Sequence, residues 1–274
     1  MKIFNNILSG EMKANIKNCL YFSSLKQKYS SFLKRYKPTL KTIHTYSNKV
    51  WLCWLQGEEK APELVKKCIA SVRKTFFNKE IIVITEENFK DYVQFPDFIL
   101  KKYKDGKISR THFSDLLRLQ LLIRNGGVWI DSTCLITEYP EYIDGEPLFV
   151  FQNKERGDDS IAASNWFISS EKENPILVLT RDMLFDWWQK HDKLYHYFFM
   201  HFFFTMATEF YDEQWRQVPF YSNLPCHILQ RELFNKYTEK RFDQIKKMSA
   251  VHKLTYKFCE EKFSNTFCEY ILNN

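Results

Sequence analysis

The sequence lacks a run of apolar residues long enough to cross a lipid bilayer. Its longest apolar stretch, YFFMHFFFTMA at residues 197–207, contains a histidine and is far shorter than the roughly 20 residues that a transmembrane helix needs. The N-terminal segment MKIFNNILSGEMK has only a short apolar stretch and no small-residue cleavage site typical of a signal peptide. We therefore expect a cytoplasmic protein, either free or peripheral on the inner face of the plasma membrane.

Cysteine motifs are also missing. The seven cysteines are odd in number, and no two of them form a C-x-x-C pair. This spacing argues against a disulfide framework and against a zinc site built from cysteines, and it favours a reducing compartment. The cysteines are Cys19, Cys53, Cys68, Cys134, Cys226, Cys259 and Cys268.

Acidic residues are scarce near the N-terminus. Residues 1–50 carry nine lysines and one arginine but only Glu11, a net charge of +9, which leaves −2 of the overall +7 for the rest of the chain. We assign residues 1–45 to a basic amphipathic arm and residues 46–274 to the main domain. The apolar side chains of the arm fit either an anionic membrane surface or the surface of the main domain, and both interpretations stay open. These side chains are Phe4, Ile7, Leu8, Leu20, Tyr21, Phe22, Leu25, Phe32 and Leu33.

Nucleic acid is not an expected partner of this arm. Its positive charge lies outside the candidate cleft of the main domain, and no recognised nucleic-acid-binding motif accompanies it.

The main domain alternates between strand and helix patterns. Hydrophobic residues make up 45% of the chain, enough for a sizeable core at this length. Helices are predicted at 62–75 and 108–127, and the chain is mainly helical from Asn174 onward. This alternation predicts an α/β fold with a mixed sheet. The predicted strands are 49–55, 80–85, 127–131, 147–152 and 161–169.

An aspartate ends the strand GVWID at residues 127–131. Ligands of open α/β sheets bind beyond the carboxyl ends of the strands, so Asp131 is a candidate ligand-binding residue. A carboxylate in this position can hold a divalent cation that neutralises phosphates. The alternative is a turn former or a helix cap.

The helix before this strand carries a second candidate pair. Asp115 and Arg118 are three residues apart and share a helix face. Facing Asp131, they would form a clamp for sugar hydroxyls and diphosphate oxygens. The alternative is a structural ion pair within the helix.

The segment HFSDLLRLQLLIRNGGVWIDST at residues 112–133 resembles the signature of glycosyltransferase family 32 and of the related capsular polysaccharide synthesis proteins. The upstream segment VWLCWLQGEEKAPELVKKCIASV is similar to the first strand and nucleotide-binding loop of those enzymes. The later segments SNWFISSEKENPIL and HKLTYK are similar to the capsule subgroup, so the resemblance extends from about Lys49 to about Lys257.

The resemblance implies a GT-A glycosyltransferase fold, which is a Rossmann-like mixed sheet flanked by helices, here with a mainly helical C-terminal part and the basic arm. It implies a retaining transferase that takes a sugar from a nucleoside-diphosphate donor, with a UDP-sugar expected. The acceptor would be a polysaccharide or a lipid-linked saccharide, bound by the helix-rich region of about 174–250. A catalytically inactive scaffold or a sugar-nucleotide-binding protein is the alternative.

The resemblance also implies roles for individual residues. Asp115, Arg118, Asp131 and Asn165 are the expected catalytic residues, whereas Trp166 fits either a ligand contact or core packing. His201 is expected to be a core or interface histidine. The expected donor-binding residues are Trp51, Trp54, Gln56, Gly57, Ser114, Asp115, Arg118, Gly127, Asp131 and Lys253.

The implied metal is Mn²⁺ or Mg²⁺, bound at a D-x-D motif that begins with Asp131. The second aspartate position is Thr133, so this motif has lost one formal charge. His252 is the candidate replacement ligand, with a satisfied structural histidine as the alternative. Lys253 beside it would contact phosphate or remain solvated.

Overall fold

A mixed five-stranded sheet forms the centre of the fold. The computed structural model describes residues 10–37, 47–153, 158–258 and 264–274. Their strands are β1 (Lys49–Cys53), β2 (Glu80–Ile84), β3 (Gly127–Ile130), β4 (Cys134–Ile136), β5 (Leu148–Gln152), β6 (Ala163–Ser170) and β7 (Val251–Lys253). The sheet order is β2-β1-β3-β6-β5, in which β1 is parallel to β2 and β3, and β6 is antiparallel to β3 and β5. The mixed α/β sheet and its five predicted strands are confirmed.

Helices flank this sheet and dominate the C-terminal half. They are α1 (Gly10–Arg35), α2 (Glu63–Thr75), α3 (Phe89–Tyr92), α4 (Asp97–Lys104), α5 (Arg110–Asn125), α6 (Pro175–Lys190), α7 (Phe199–Phe210), α8 (Asp212–Gln217), α9 (Ile228–Arg231), α10 (Glu239–Met248) and α11 (Phe267–Asn273).

Strand β1 shows why the central strands are apolar throughout. Trp51 faces one core, which it shares with α5, α6 and α7, whereas Val50 and Leu52 face a second core with α2. All three side chains are fully buried. Alternate residues of a strand point to opposite faces, and here helices cover both faces. The parallel strands β1, β2 and β3 therefore end at one edge of the sheet, which Asp131 reaches directly after β3.

Strands β4 and β7 form a separate antiparallel pair that the sequence patterns do not predict. Each strand has only three residues, too few for a periodic signal. The pairing sets Cys134 opposite Lys253 and Leu135 opposite His252. It thereby brings a C-terminal segment beside the residues that follow Asp131.

Helix α1 lies against α6 and α7. Its side chains Phe22, Leu25 and Tyr29 are buried in the main core, and the Tyr29 hydroxyl donates to Asp186. This helix therefore packs on the main domain, which is one of the two interpretations of the arm. Phe4, Ile7 and Leu8 lie outside the described residues.

The other face of α1 is exposed to solvent. Met12, Ile16 and Leu20 are exposed by 50%, 46% and 68% and are spaced four residues apart, so they form one apolar stripe. Within the described residues, the helices are too short or too polar to cross a membrane.

Candidate active site

Helix α5 positions the first two residues of the site. Ser109 caps its N-terminus by accepting a hydrogen bond from the amide of His112, and Gly126 ends it with a positive φ of 66°. Asp115 and Arg118 lie in the middle of this rigid helix, both on its buried side. Strand β3 follows this helix, and Asp131 comes directly after the strand, close to Arg118.

Arg118 joins the two carboxylates. Its Nη1 lies 3.4 Å from Asp115 Oδ1, and its Nη2 lies 3.4 Å from Asp131 Oδ1. The guanidinium also donates to the carbonyl of Asn165 at 2.9 Å and lies over the Trp129 ring, 5.0 Å from its centroid. The ion pair within the helix therefore exists, and it extends across to the strand end.

Asn165 completes this group from β6. Its amide donates to Asp115 Oδ1 at 3.1 Å, and the Ser114 hydroxyl accepts from Arg118 at 3.3 Å. The structure thus brings together the four residues expected to be catalytic. Carboxylate, amide and guanidinium groups side by side suit a ligand rich in hydroxyl and phosphate oxygens.

The two carboxylates differ in their electrostatic environment. Burial raises the pKa of Asp115 to about 6, against the lowering effect of Arg118. Burial also acts on Asp131, but Lys253 and Arg118 outweigh it and lower the pKa of Asp131. Asp131 is therefore the firmly ionised member of the pair.

Lys253 occupies the other side of Asp131. Its ammonium donates to Asp131 Oδ2 at 2.9 Å and to the Thr133 hydroxyl. Burial alone would lower the pKa of Lys253, but the Asp131 carboxylate outweighs this effect, so the pKa is raised. The lysine is therefore charged, and it contacts both ends of the motif that resembles D-x-D.

His252 is not brought to Asp131. Neighbouring residues of β7 point to opposite sides, so His252 points away when Lys253 faces Asp131. The imidazole is fully buried, and its Nε2 lies 3.1 Å from the Thr137 hydroxyl. Burial lowers the pKa of His252 to about 4, so it is a neutral structural histidine, but its Nδ1 has no partner among the described residues, so it is only partly satisfied.

The residues around Asp131 do not fit a divalent metal ion. Asp131 Oδ1 accepts from the Trp129 indole at 2.9 Å, and Oδ2 is bonded to the Lys253 ammonium. In the part of the chain that the structure describes, no group of three His, Cys, Asp or Glu side chains is placed to hold a metal. Mg²⁺ is usually held by one or two carboxylates together with substrate phosphates, but here the Lys253 ammonium already lies on Asp131 and would repel a divalent ion.

Several of the expected donor-binding residues line the end of β1. Gln56 and Gly57 border a cleft of about 380 Å³ that Glu86 and Arg110 also line. Trp54 packs edge-on against Tyr256 with 5.4 Å between ring centroids. The Trp54 indole nitrogen is buried and has no hydrogen-bond partner among the described residues, which is uncommon for a buried donor.

Two expected donor-binding residues lie elsewhere. Trp51 is fully buried in the middle of β1 and donates to the Gly126 carbonyl at 2.9 Å, so it cannot line a nucleotide base. Gly127 begins β3, at the end of the strand opposite to Asp131. It has a φ of 99°, and a Cβ there would lie 2.3 Å from the Lys49 carbonyl oxygen. Both residues serve the packing of the sheet.

His201 is close to the site, which the sequence does not indicate. It lies on α7 beside Met200, whose sulfur contacts the Asn165 amide at 3.4 Å. The His201 Nδ1 is buried without a partner among the described residues. Burial lowers the pKa of His201 to about 3, with Arg118 adding to this shift and Asp131 opposing it. The aromatic run around it predicted only a core or interface residue.

Trp166 packs in the core, which is the second of the two roles expected for it. Its ring stacks on Phe151 with 5.0 Å between centroids, and the residue is 6% exposed.

Comparisons with known proteins give one strong match. The family model described as capsular polysaccharide synthesis protein matches residues 2–271. No curated protein matches the chain. Among solved structures, the chain is similar to PaToxG glycosyltransferase, with 15% identity, a TM-score of 0.41 and coverage of 87% of this chain and 94% of that one. It is also similar to a transferase bearing two cysteine-to-serine substitutions, with 11% identity, a TM-score of 0.40 and coverage of 68% and 98%.

Proposed function

This chain belongs to the capsular polysaccharide synthesis protein family, and we propose that it is a glycosyltransferase that moves a sugar from a nucleoside diphosphate to a surface polysaccharide. The observation that carries this proposal is the continuous set Asp115, Arg118 and Asp131, placed where the parallel strands of the sheet end. The GT-A-like mixed sheet supports the same conclusion.

The donor binds along this edge of the sheet. We assign the nucleoside to the cleft beside Gln56 and Gly57, and we expect a UDP-sugar. The donor sugar lies against Asp115 and Asn165, which together can accept from and donate to its hydroxyls. The diphosphate lies beside Asp131, close to Arg118 and Lys253, the two cations that contact this carboxylate.

In the transfer, the bond between the sugar C1 and the diphosphate oxygen breaks. The acceptor hydroxyl oxygen forms the new bond to C1, and its proton passes to the departing diphosphate oxygen. The charge on that oxygen grows in the transition state, so Arg118 and Lys253 stabilise it more strongly there than in the bound donor. We propose that the new bond forms on the face that the diphosphate leaves, with retention of configuration.

The acceptor approaches from the helix-rich region of about 174–250. We assign His201 to it, because burial keeps this imidazole neutral and its buried Nδ1, without a partner among the described residues, could bond an acceptor hydroxyl that reaches it. We expect a polysaccharide or lipid-linked saccharide at the cytoplasmic face of the membrane. The exposed stripe of Met12, Ile16 and Leu20 would face the inner leaflet, with Lys13 and Lys17 on the adjoining face of α1 near anionic lipid.

A panel of nucleotide sugars tests the proposal. The donor should raise the melting temperature, because a ligand that binds only the folded form stabilises it. The same donor should be consumed with a saccharide acceptor, and NMR of the product gives the configuration at C1. A nucleotide sugar that binds without ever being transferred or hydrolysed would favour the alternative of a sugar-nucleotide-binding protein.

A further inference from the structure

We propose that the Lys253 ammonium takes the place of a divalent metal ion at the donor diphosphate, so that transfer proceeds without any metal. This inference rests on the proposed function and specifies how its site neutralises the diphosphate. Lys253 Nζ contacts Asp131 Oδ2 at 2.9 Å and also the Thr133 hydroxyl, the two groups that a metal at this motif would use.

The backbone holds Lys253 at this place. Strand β7 pairs with β4, which sets Lys253 opposite Cys134, and the amide of Leu254 donates to the Thr133 carbonyl at 2.9 Å. The Lys253 side chain is 20% exposed, so most of it is packed while its ammonium contacts Asp131 and Thr133. A cation fixed by a strand pair differs from a surface lysine that happens to approach a carboxylate.

Both carboxylate oxygens of Asp131 already have partners in the protein. Its Oδ1 already accepts from the Trp129 indole and lies near Arg118, and its Oδ2 accepts from Lys253. A metal ion would have to lie about 2.1 Å from a ligand oxygen. At that distance from Oδ2 it would lie within about 5 Å of the Lys253 ammonium, and like charges in a partly buried site repel strongly. Asp131 is therefore the residue that positions Lys253 and Arg118.

The balance of charge explains the threonine of the motif. One ammonium beside one aspartate carries no net charge, the same as a divalent ion beside two aspartates, and Arg118 contacts Asp131 in either case. A second aspartate at position 133 would pair with the Lys253 ammonium and weaken its pull on phosphate. Thr133 holds the ammonium through a neutral oxygen, so Asp131 is the one carboxylate of this motif that offsets its charge.

The first experiment measures binding of the nucleoside diphosphate by calorimetry to protein stripped with EDTA, with residual metal measured by mass spectrometry. We expect the same Kd with and without added Mn²⁺, and full transfer activity in EDTA. Lys253→Met keeps the packed stem and removes the charge, so it should weaken binding and transfer by about a hundred-fold, the usual effect of losing one charge-stabilising group. The matched control is Lys257→Ala, an exposed lysine four residues away, which should behave as wild type.

A second variant tests the reciprocal change. Thr133→Asp combined with Lys253→Ala provides two carboxylates without the ammonium, and it should bind Mn²⁺, detected by electron paramagnetic resonance, and need it to bind the nucleotide. Unchanged nucleotide affinity in Lys253→Met, or a wild-type protein that binds the nucleotide only with Mn²⁺, would overturn the inference while leaving the proposed function intact. If no nucleoside diphosphate binds with or without metal, both are overturned.

Discussion

Arg118 Nη2 lies 3.4 Å from Asp131 Oδ1, and this contact ties α5 to the end of β3. The same guanidinium lies 3.4 Å from Asp115 and donates to the Asn165 carbonyl. Three separate elements, α5, β3 and β6, therefore meet at one planar cation. A planar group with donors in a fixed fork can serve all three at once, which a single ammonium cannot.

Arg118→Lys should lower transfer by at least a hundred-fold although the charge is kept. The lysine cannot bond Asp115, Asp131 and the Asn165 carbonyl together, so both carboxylates lose their alignment. The measurement is kcat/KM for the best nucleotide sugar, with the melting temperature recorded in parallel. Arg124→Lys, an exposed arginine at the end of the same helix, is the control and should keep wild-type activity. A lysine variant with near-normal turnover would make Arg118 a structural ion-pair partner only.

Asp115→Asn should abolish transfer and yet stabilise the folded protein above pH 6. Burial raises the pKa of Asp115 from 3.8 to about 6, so the folded state holds this proton more tightly than the unfolded chain does. Ionising Asp115 in the folded state lowers the free energy of unfolding. This loss is fully present above pH 6 and disappears as the pH falls from 6 to below 3.8. At 1.36 kcal/mol per pKa unit, the cost is on the order of 3 kcal/mol.

The measurement for Asp115 is the difference in unfolding free energy between variant and wild type at pH 8 and pH 4.5. The variant should be more stable at pH 8, and its advantage should shrink at pH 4.5, because the wild-type carboxyl is then protonated in the folded state. A variant that is less stable at pH 8 would show that the ion pair with Arg118 outweighs the burial of Asp115.

Much of this site follows from patterns in one contiguous segment. The helix period places Asp115 and Arg118 on one face, and the apolar strand that follows predicts where Asp131 ends up. The antiparallel strand that supplies Asn165 is also predicted, because a run of apolar residues marks it. These residues are held by long, regular elements, whose periodicity is visible in the sequence.

Lys253 and His252 show where sequence patterns fail. Both residues lie on a three-residue strand, and its pairing with β4, more than a hundred positions earlier, decides which side chain faces Asp131. A shift of one residue in this pairing would turn His252 toward Asp131 and Lys253 away from it. The roles of the two side chains therefore depend on a strand register that cannot be predicted from three residues. Trp51 shows a related limit. It lies in the middle of β1 and is therefore in the core, whereas a residue beyond the end of the strand would line the cleft.

Ile16→Glu with Leu20→Glu should weaken binding to anionic liposomes several-fold, most clearly at low salt. Both side chains are exposed on α1, so their replacement should leave the melting temperature unchanged, whereas deleting the helix would uncover Phe22 and Leu25 of the core. The added negative charges also repel anionic lipid. Cosedimentation with phosphatidylserine vesicles measures the effect. Met248→Glu, at an equally exposed apolar residue on α10, is the control, and equal binding by all three proteins would contradict a membrane role for α1.

His201→Phe should raise the KM for the saccharide acceptor about ten-fold or more and leave the Kd of the nucleotide donor unchanged. The pKa of His201 is lowered to about 3 by burial, so the imidazole is neutral at every working pH. Its buried Nδ1 has no partner among the described residues and can take part in one hydrogen bond with an acceptor hydroxyl that reaches it. Losing one such bond costs about 1–3 kcal/mol when its partner is left unpaired. Phenylalanine preserves the packing of α7 among its aromatic neighbours, so the melting temperature should not fall.

Initial-rate kinetics with varied acceptor, combined with calorimetry of the donor, separate the effect on acceptor KM from the effect on donor Kd. A variant that binds donor poorly but has a normal acceptor KM would show that His201 acts on the donor side of the site. A variant unchanged in both would show that His201 is a core residue only.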